Sequence, residues 1–431
     1  MTKALIITYY WPPAGGPGVQ RWLKFATYLP EYEVTPIVYI PENPNYAIVD
    51  DNISAEVPSK ITIVSQPIKE PYKLAKKFSK STTQEMSRGI LPDKSPSIME
   101  RLMLFVRGNF FIPDARVGWV KPSVKYLKDY IRQNPIDVVI TTGPPHSVHL
   151  IGLKLKSELG CTWLADFRDP WTTIGYHSKL HLSKRAANKH KKLEAQVLNE
   201  ADQVLVTSPT TAREFEDITT TPVAVITNGY DASHATAAPT TLDGRFSIAH
   251  IGSFLTKRNP NLLWEVLAQL ANEIDSFKAD LNLVFAGYVS PQVLESVQKY
   301  NLSDSVSNKG YLSHNEAIIL QKESQLLLIS EIDSAETKCI IPGKLFEYFM
   351  AGRPIVAIGP KGSDIKPLID KTGTGSFFDY SEKEELKAHI KSCYEQYRND
   401  SLTIQPIGIA QFSRKNLTGQ LANLIDQVVS R

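Results

Sequence analysis

The chain has 431 residues, 42% of them hydrophobic and 22% charged, with a net charge of +3. One hydrophobic core serves about 250–300 residues at most, so two domains are expected, and the composition is that of a globular protein. No apolar run reaches the roughly 18–20 residues of a bilayer span, and the three cysteines (Cys161, Cys339, Cys393) lack the close spacing of a disulfide framework or a Cys-based zinc site.

The cytoplasm is therefore the expected compartment. The charge is uneven: residues 1–231 hold 28 Lys and Arg against 23 Asp and Glu, and residues 69–132 hold 14 against 6. That local excess is too small for a dedicated nucleic-acid binder but suits an anionic membrane surface.

In chain order, "MTKALIITYYWPP" has too short an apolar core for a signal peptide and reads as a buried first strand. "VQRWLKFATYL" (19–29) follows with helical spacing. "VTPIVYI", "KITIVSQ", "DVVITTG", "TWLADF", "QVLVTS" and "VAVITNG" are short β-rich runs, with helical stretches such as "SVHLIGLKLKSELG" between them. Uninterrupted apolar strands separated by helices imply a parallel sheet covered on both faces, a doubly wound Rossmann-like domain over 1–231.

The small, polar "ASHATAAPTTLDG" (232–244) is the best linker candidate. A second Rossmann-like series occupies 245–411, from "FSIAHIGSF" through "NPNLLWEVLAQLANEI", "LNLVFAG", "SVSNKGYL", "SQLLLIS" and "RPIVAIG" to "GTGSFFD". Residues 412–431 read as a terminal amphipathic helix. Ligands of open α/β sheets bind at the carboxyl ends of the strands, so two such domains are expected to enclose a cleft there.

Several motifs fall at those strand ends. In "YYWPPAGGPGVQR", Gly15, Gly16 and Gly18 permit close backbone approach, but the spacing is not GxGxxG, which disfavours a nicotinamide cofactor. "TTGPPHS" places His146 at a helix start. "LADFRDPW" places Asp166 and Arg168 on one face of a strand and Asp169 at the turn. "HIGSFLTKRNPNLL" sets Lys257 and Arg258 ahead of a helix, a pattern suited to phosphate.

"CIIPGKLFEYFMAGRP" reads as a short helix with Pro342 at its first position, Gly352 as left-handed terminator and Pro354 beyond. Its first turn holds Lys344, where a cation is locally unfavourable by roughly 0.3–1 kcal/mol unless an anion meets it. Glu347 lies three residues on, on the same face. An anion site beside a carboxylate fits a ligand that is negative in one part and rich in hydroxyls in another.

Read together, "AGGPG", "PDARVGW", "TGPPHSVH", "LADFRDPW", "VITNGYD", "HIGSF" with its Lys-Arg pair, and "GKLFEYFMAGRPIVAIGP" resemble the family 4 group of retaining glycosyltransferases with the GT-B fold. The resemblance covers about residues 1–30 and 110–425, and "DFRDPW" is similar to a subgroup that builds bacterial surface polysaccharides, lipopolysaccharide or capsule. It implies two Rossmann-like domains, the second binding a nucleotide sugar, with the terminal helix returning to the first.

The resemblance further implies that Glu347 meets the ribose and that Arg258, Lys257 and Lys344 meet the diphosphate. Tyr311 would lie by the base, and Gly16, Ser253 and Leu345 would complete the donor site. His146, Asp166, Arg168 and Asp169 are the expected catalytic group. The chain departs from the family pattern at three places: Cys339 stands where a first glutamate is usual, Arg168 where a histidine is frequent, and Ser253 where many relatives carry arginine.

The expected activity is retaining transfer of a hexose-type sugar from a nucleoside diphosphate sugar, UDP- or GDP-linked, to a glycan or lipid-linked hydroxyl acceptor, with no metal or other cofactor required. The stretch 70–113 mixes basic residues with "LMLFV" and "FF", which suits peripheral contact with an anionic inner membrane face. A sugar-nucleotide 2-epimerase of the same architecture would isomerise donor alone. A non-catalytic nucleotide-sugar-binding protein would bind donor without turnover.

Overall fold

The computed structural model describes residues 1–46, 48–68, 70, 98–175, 177–232 and 241–430. Most of the proposed linker (233–240) and the basic segment 71–97 lie outside the described residues. The chain divides into two units, Met1–Thr227 with Arg414–Arg431, and Asn228–Ser413.

In the first unit seven strands form one parallel sheet: β1 (Thr2–Thr8), β2 (Val34–Glu42), β3 (Thr62–Pro67), β4 (Val138–Gly143), β5 (Trp163–Phe167), β6 (Gln203–Val206) and β7 (Val223–Val225). Their order is β3-β2-β1-β4-β5-β6-β7, with Leu5 facing Ile37 on one side and Val139 on the other. The helices are α1 (Pro17–Tyr28), α2 (Ile98–Phe110), α3 (Val120–Gln133), α4 (Ser147–Leu159), α5 (Lys184–Glu200) and α6 (Pro209–Glu216).

β1 explains why these strands read as unbroken apolar runs. Leu5 and Ile7 enter one core with Val148, Ile151 and Phe167, while Ala4 and Ile6 enter the opposite one with Trp22, Leu23 and Leu421. Successive side chains point to opposite faces, and here both faces are covered.

The second unit repeats the plan with β8 (Phe246–Ile251), β9 (Leu281–Ala286), β10 (Val306–Gly310), β11 (Leu326–Ser330), β12 (Ile355–Gly359) and β13 (Gly375–Asp379). The order β10-β9-β8-β11-β12-β13 is again wholly parallel. The helices of eight residues or more are α7 (Asn261–Glu273), α8 (Pro291–Lys299), α9 (His314–Glu323), α10 (Gly343–Ala351), α11 (Ile365–Thr372) and α12 (Lys383–Arg398), and α13 (Arg414–Val429) closes the chain. Leu417, Leu421, Ala422 and Ile425 of α13 pack in the first unit's core against Trp22, Leu23 and Leu29, which is why the last residues belong to that unit.

Every strand expected from the sequence is present, and the fold class is as expected. One local expectation changes. Pro342 has φ −67° and ψ 138°, so it is the extended N-cap, and α10 starts at Gly343; Gly352 terminates it with φ 67°. β1 and β8 are interior strands of their own sheets, and the strand order reverses beside each, the usual place for a ligand in open α/β sheets.

Candidate functional site

In the second unit the residues of interest gather at the carboxyl ends of β8 and β11. After β8 the chain turns through Gly252 at φ 112°, a conformation that favours glycine. The Lys344 side chain leaves the first turn of α10 and comes to lie against that turn, and a Cβ on Gly252 would stand 3.1 Å from Nζ. Nζ donates to Nε2 of His250 at 3.1 Å. Lysine has no acceptor, so with Lys344 protonated the imidazole is the neutral tautomer carrying its proton on Nδ1. Burial, with Arg258 adding to it and Glu331 and Glu347 opposing, lowers the Lys344 pKa to about 7. Burial, Lys344 and Arg258 also keep His250 well below the ordinary imidazole range.

Arg258 sits in a single helical turn, Thr256–Arg258, just before α7. Its Nε donates to Glu331 Oε1 at 3.0 Å, and Nη2 lies 3.0 Å from Oε2. The carboxylate side chain is 1% exposed and the guanidinium side chain 25%. Glu331 follows β11 directly and also accepts from the Ile332 N–H at 2.9 Å. A side-on pair of this kind uses two of arginine's five N–H donors and leaves the Nη1 edge for another anion.

Glu347 is partly buried, with Oε2 accepting from Gln321 Nε2 at 3.4 Å. Lys257 and Ser253 are exposed. Tyr311 is 93% exposed, directly after Gly310, which has φ 63°. Leu345 does not fit its expected role. Its side chain is buried in the apolar core and its N–H donates to the Pro342 carbonyl at 3.0 Å, so it is a packing residue.

In the first unit the "DFRDPW" motif interlocks with the glycine-rich turn. Asp166, wholly buried, accepts from Trp22 Nε1 at 2.6 Å, Thr142 Oγ1 at 2.7 Å and Arg21 Nη2 at 3.2 Å. This corrects its expected place among the reacting groups: three internal donors occupy the carboxylate, which ties α1 to the sheet. Arg168 donates to the carbonyls of Gly18 at 2.8 Å, Gly143 at 3.2 Å and Pro144. A Cβ on Gly18 would stand 2.5 Å from Arg168 Nη1, so the bare Gly18 makes room for this arginine rather than for a ligand. Gly16 has φ 95° and is the N-cap of α1. Burial raises the Asp169 carboxyl against the pull of Arg168.

His146 is the N-cap of α4, while the α4 Ser147 N–H and Oγ donate to Asp114 at 2.8 and 2.9 Å. Its ring stacks on Trp171 with centroids 5.1 Å apart, and neither ring nitrogen has a partner among the described residues. Burial, with His149 and Arg168 adding to it, keeps His146 uncharged well below the ordinary range. Trp171 in turn donates to His190 Nδ1 at 3.0 Å.

Two functional candidates escaped the sequence reading. His250 stood inside a motif valued for its glycine and basic pair. Glu331 carried a usable signal, a charged residue directly after the buried "LLLIS" at a parallel strand's carboxyl end. Among the described residues no group of three His, Cys, Asp or Glu side chains is arranged to hold a metal ion.

Residues 90–234 match the sequence model of Glycosyltransferase Family 4, and residues 236–403 match that of Glycosyl transferases group 1. A search of curated protein sequences finds no match. Among solved structures, the chain is similar to a sucrose-phosphate synthase from Thermosynechococcus elongatus (13% identity, 100% of both chains covered, TM-score 0.63). It is also similar to the lipopolysaccharide outer core galactosyltransferase WaaB (13% identity, 99% of each chain, TM-score 0.60). A third likeness is to a point mutant of TarM from S. aureus, solved with UDP, fondaparinux and alpha-GlcNAc-glycerol (12% identity, 99% of each chain, TM-score 0.57). Identities this low speak for the fold, and the two matched domains for the activity. The chain is a glycosyltransferase of the GT-B architecture, joining a family 4 domain to a group 1 domain.

Proposed function

We propose that the chain is a retaining hexosyltransferase of surface polysaccharide synthesis, which moves a sugar from a UDP- or GDP-sugar to a hydroxyl on a glycan or lipid-linked acceptor. The second unit takes the donor. Lys344 and the Nη1 edge of Arg258 meet the diphosphate, with Lys257 beside them. Glu347 accepts from the ribose hydroxyls, and Tyr311 flanks the base. Ser253 completes the second unit's donor set, and in the first unit Gly16 is assigned to donor binding and His146, Arg168 and Asp169 to catalysis.

The observation that carries this reading is Lys344, whose hydrogen-bond partner is a neutral imidazole rather than a carboxylate. A cation kept uncancelled at a strand end is poised for an anion. Charge builds on the diphosphate as the glycosidic bond breaks, and preoriented cations stabilise it there. Loss of one such contact costs about 2.7–4 kcal/mol in the barrier, on the order of 100- to 1,000-fold in rate. Lys344→Ala is therefore expected to lose transfer by that factor, and Glu347→Ala to weaken donor binding. Wild-type donor hydrolysis and transfer in both variants would refute the assignment.

The acceptor side has support of its own. On α2, Met99 (60% exposed), Leu102 (55%), Val106 and Phe110 (73%) recur at helical spacing and stand open, within the segment of basic excess. An apolar stripe beside positive charge fits an anionic lipid surface carrying the acceptor. Anionic vesicles are expected to sediment the protein at low salt and release it at high salt. Absence of binding at low salt removes the membrane reading and leaves the donor site untouched.

A further inference from the structure

We infer that His250 is a positioning residue for the donor diphosphate: its unprotonated Nε2 fixes the Lys344 ammonium against the β8 turn without cancelling its charge. This rests on the donor-site reading above. The observations behind it are geometric.

His250 is 1% exposed at the end of β8, and its ring stacks on Phe254 with centroids 4.0 Å apart and planes 20° from parallel. Phe254 is itself held edge-on by Phe285 at 5.5 Å. The imidazole is thus locked by packing before any ligand arrives. Lys344 then has little freedom. Its stem crosses Gly252, where a Cβ would stand 3.1 Å from Nζ and 3.4 Å from Cε, and Gly252 is backed by Gly287, where a Cβ would stand 2.8 Å from the Gly252 carbonyl oxygen. A second tie joins the two elements, for the Ile251 N–H donates to the Tyr348 hydroxyl of α10 at 3.1 Å.

The two cations of the site are held in different ways. Arg258 is oriented by a carboxylate, Glu331, and so is largely neutralised. Lys344 is oriented by a neutral acceptor, so the charge of its ammonium form is not cancelled by that partner. A lysine stem has four rotatable bonds and a strongly hydrated head. Without an acceptor at Nε2 the buried ammonium, its stem still packed against Gly252, loses a hydrogen-bond partner and gives up its proton more readily.

The charged groups acting on Lys344 are Arg258 from the turn before α7, Glu331 from the end of β11 and Glu347 from its own helix, with His250 from β8. An anionic ligand favours the protonated lysine, so binding takes up a proton wherever the free lysine is partly deprotonated. Affinity should then be flat at low pH and fall above about 7, by up to tenfold per pH unit. Removal of the Nε2 acceptor takes a stabilising partner from the ammonium and moves that fall to lower pH.

The test is calorimetry on the full chain with UDP-glucose and GDP-mannose from pH 5.5 to 8.5, a range in which neither diphosphate diester titrates. The variants are His250→Phe, which keeps the ring stack; His250→Asn, whose amide is too short to reach Nζ; His250→Gln, which returns an acceptor; and Lys344→Ala. The expected result is that H250F and H250N converge with wild type near pH 5.5 and fall about tenfold behind it by pH 8, while H250Q follows wild type. Should H250F fail to fold, H250N carries the same comparison.

Curves for H250F and H250N that coincide with wild type, or run parallel to it at every pH, overturn the inference, as does an H250Q curve that tracks H250F. In those cases a lost affinity in K344A still leaves the donor-site reading standing. Wild-type affinity in K344A overturns that reading itself.

Discussion

At the scale of single residues, the partner of a charged group decides its role. Asp166 is committed to Arg21, Trp22 and Thr142 in a fully buried cluster. Asp166→Ala leaves a buried guanidinium and two further donors unpaired, and removal of one member of a buried pair costs roughly 3–5 kcal/mol. Urea unfolding is expected to register a loss of that size. Lys344 is the opposite case, a cation whose folded pKa of about 7 lies below the ordinary lysine value. Between pH 7 and about 10 the unfolded chain holds the extra proton, so this group's contribution to stability rises with pH across that window. A bound anion reverses the preference. The thermal shift produced by UDP-glucose or GDP-mannose should therefore shrink from pH 7 to 8.5, and a shift constant with pH would count against Lys344 as the ligand's partner.

Elements are joined at the sites by close approach, and glycines permit it. Gly18 of α1 lies under the Arg168 guanidinium, which holds the turn after β5 to the turns after β1 and β4. Gly18→Ala forces a Cβ to within 2.5 Å of Nη1, so the arginine must leave its three carbonyls or α1 must shift. Overpacking of this kind costs typically about 1–3 kcal/mol. A lowered melting temperature together with slowed transfer is the expected outcome, and an unchanged protein would show that Arg168 is free to move. Helix α10 also answers why a cation occupies its first turn. The Lys344 side chain turns away to the β8 end, so the helix start and the lysine face the same region without the charge resting on the exposed N–H groups.

At the scale of the whole molecule, two doubly wound units are built from one chain that crosses twice, after Thr227 and after Ser413. The second crossing makes the last residues part of the first unit's core. Leu421 is completely buried there against α1, and truncation of a buried leucine costs about 2–5 kcal/mol. Leu421→Ala is expected to destabilise the first unit by that amount in urea unfolding, although it lies in the last helix, far along the chain from the strands it covers.

The strands and the two-domain plan were legible in the amino-acid order, because period and punctuation are local properties. Buried parallel strands leave unbroken apolar runs, and helix ends leave Pro and Gly. The pairings within the sites were not legible, because they join residues far apart in sequence: Lys344 to His250, Arg258 to Glu331, and Arg21 to Asp166. Spacing placed Asp166 beside Arg168, yet tertiary packing gave the carboxylate to α1 and the guanidinium to backbone carbonyls. Leu345 read as part of a binding motif and proved to be core, since one face of a short helix must be buried whatever its other face binds. A sequence records which groups are available. Which of them spend their charge inside the protein, and which keep it for a ligand, is settled only when distant strand ends are brought together.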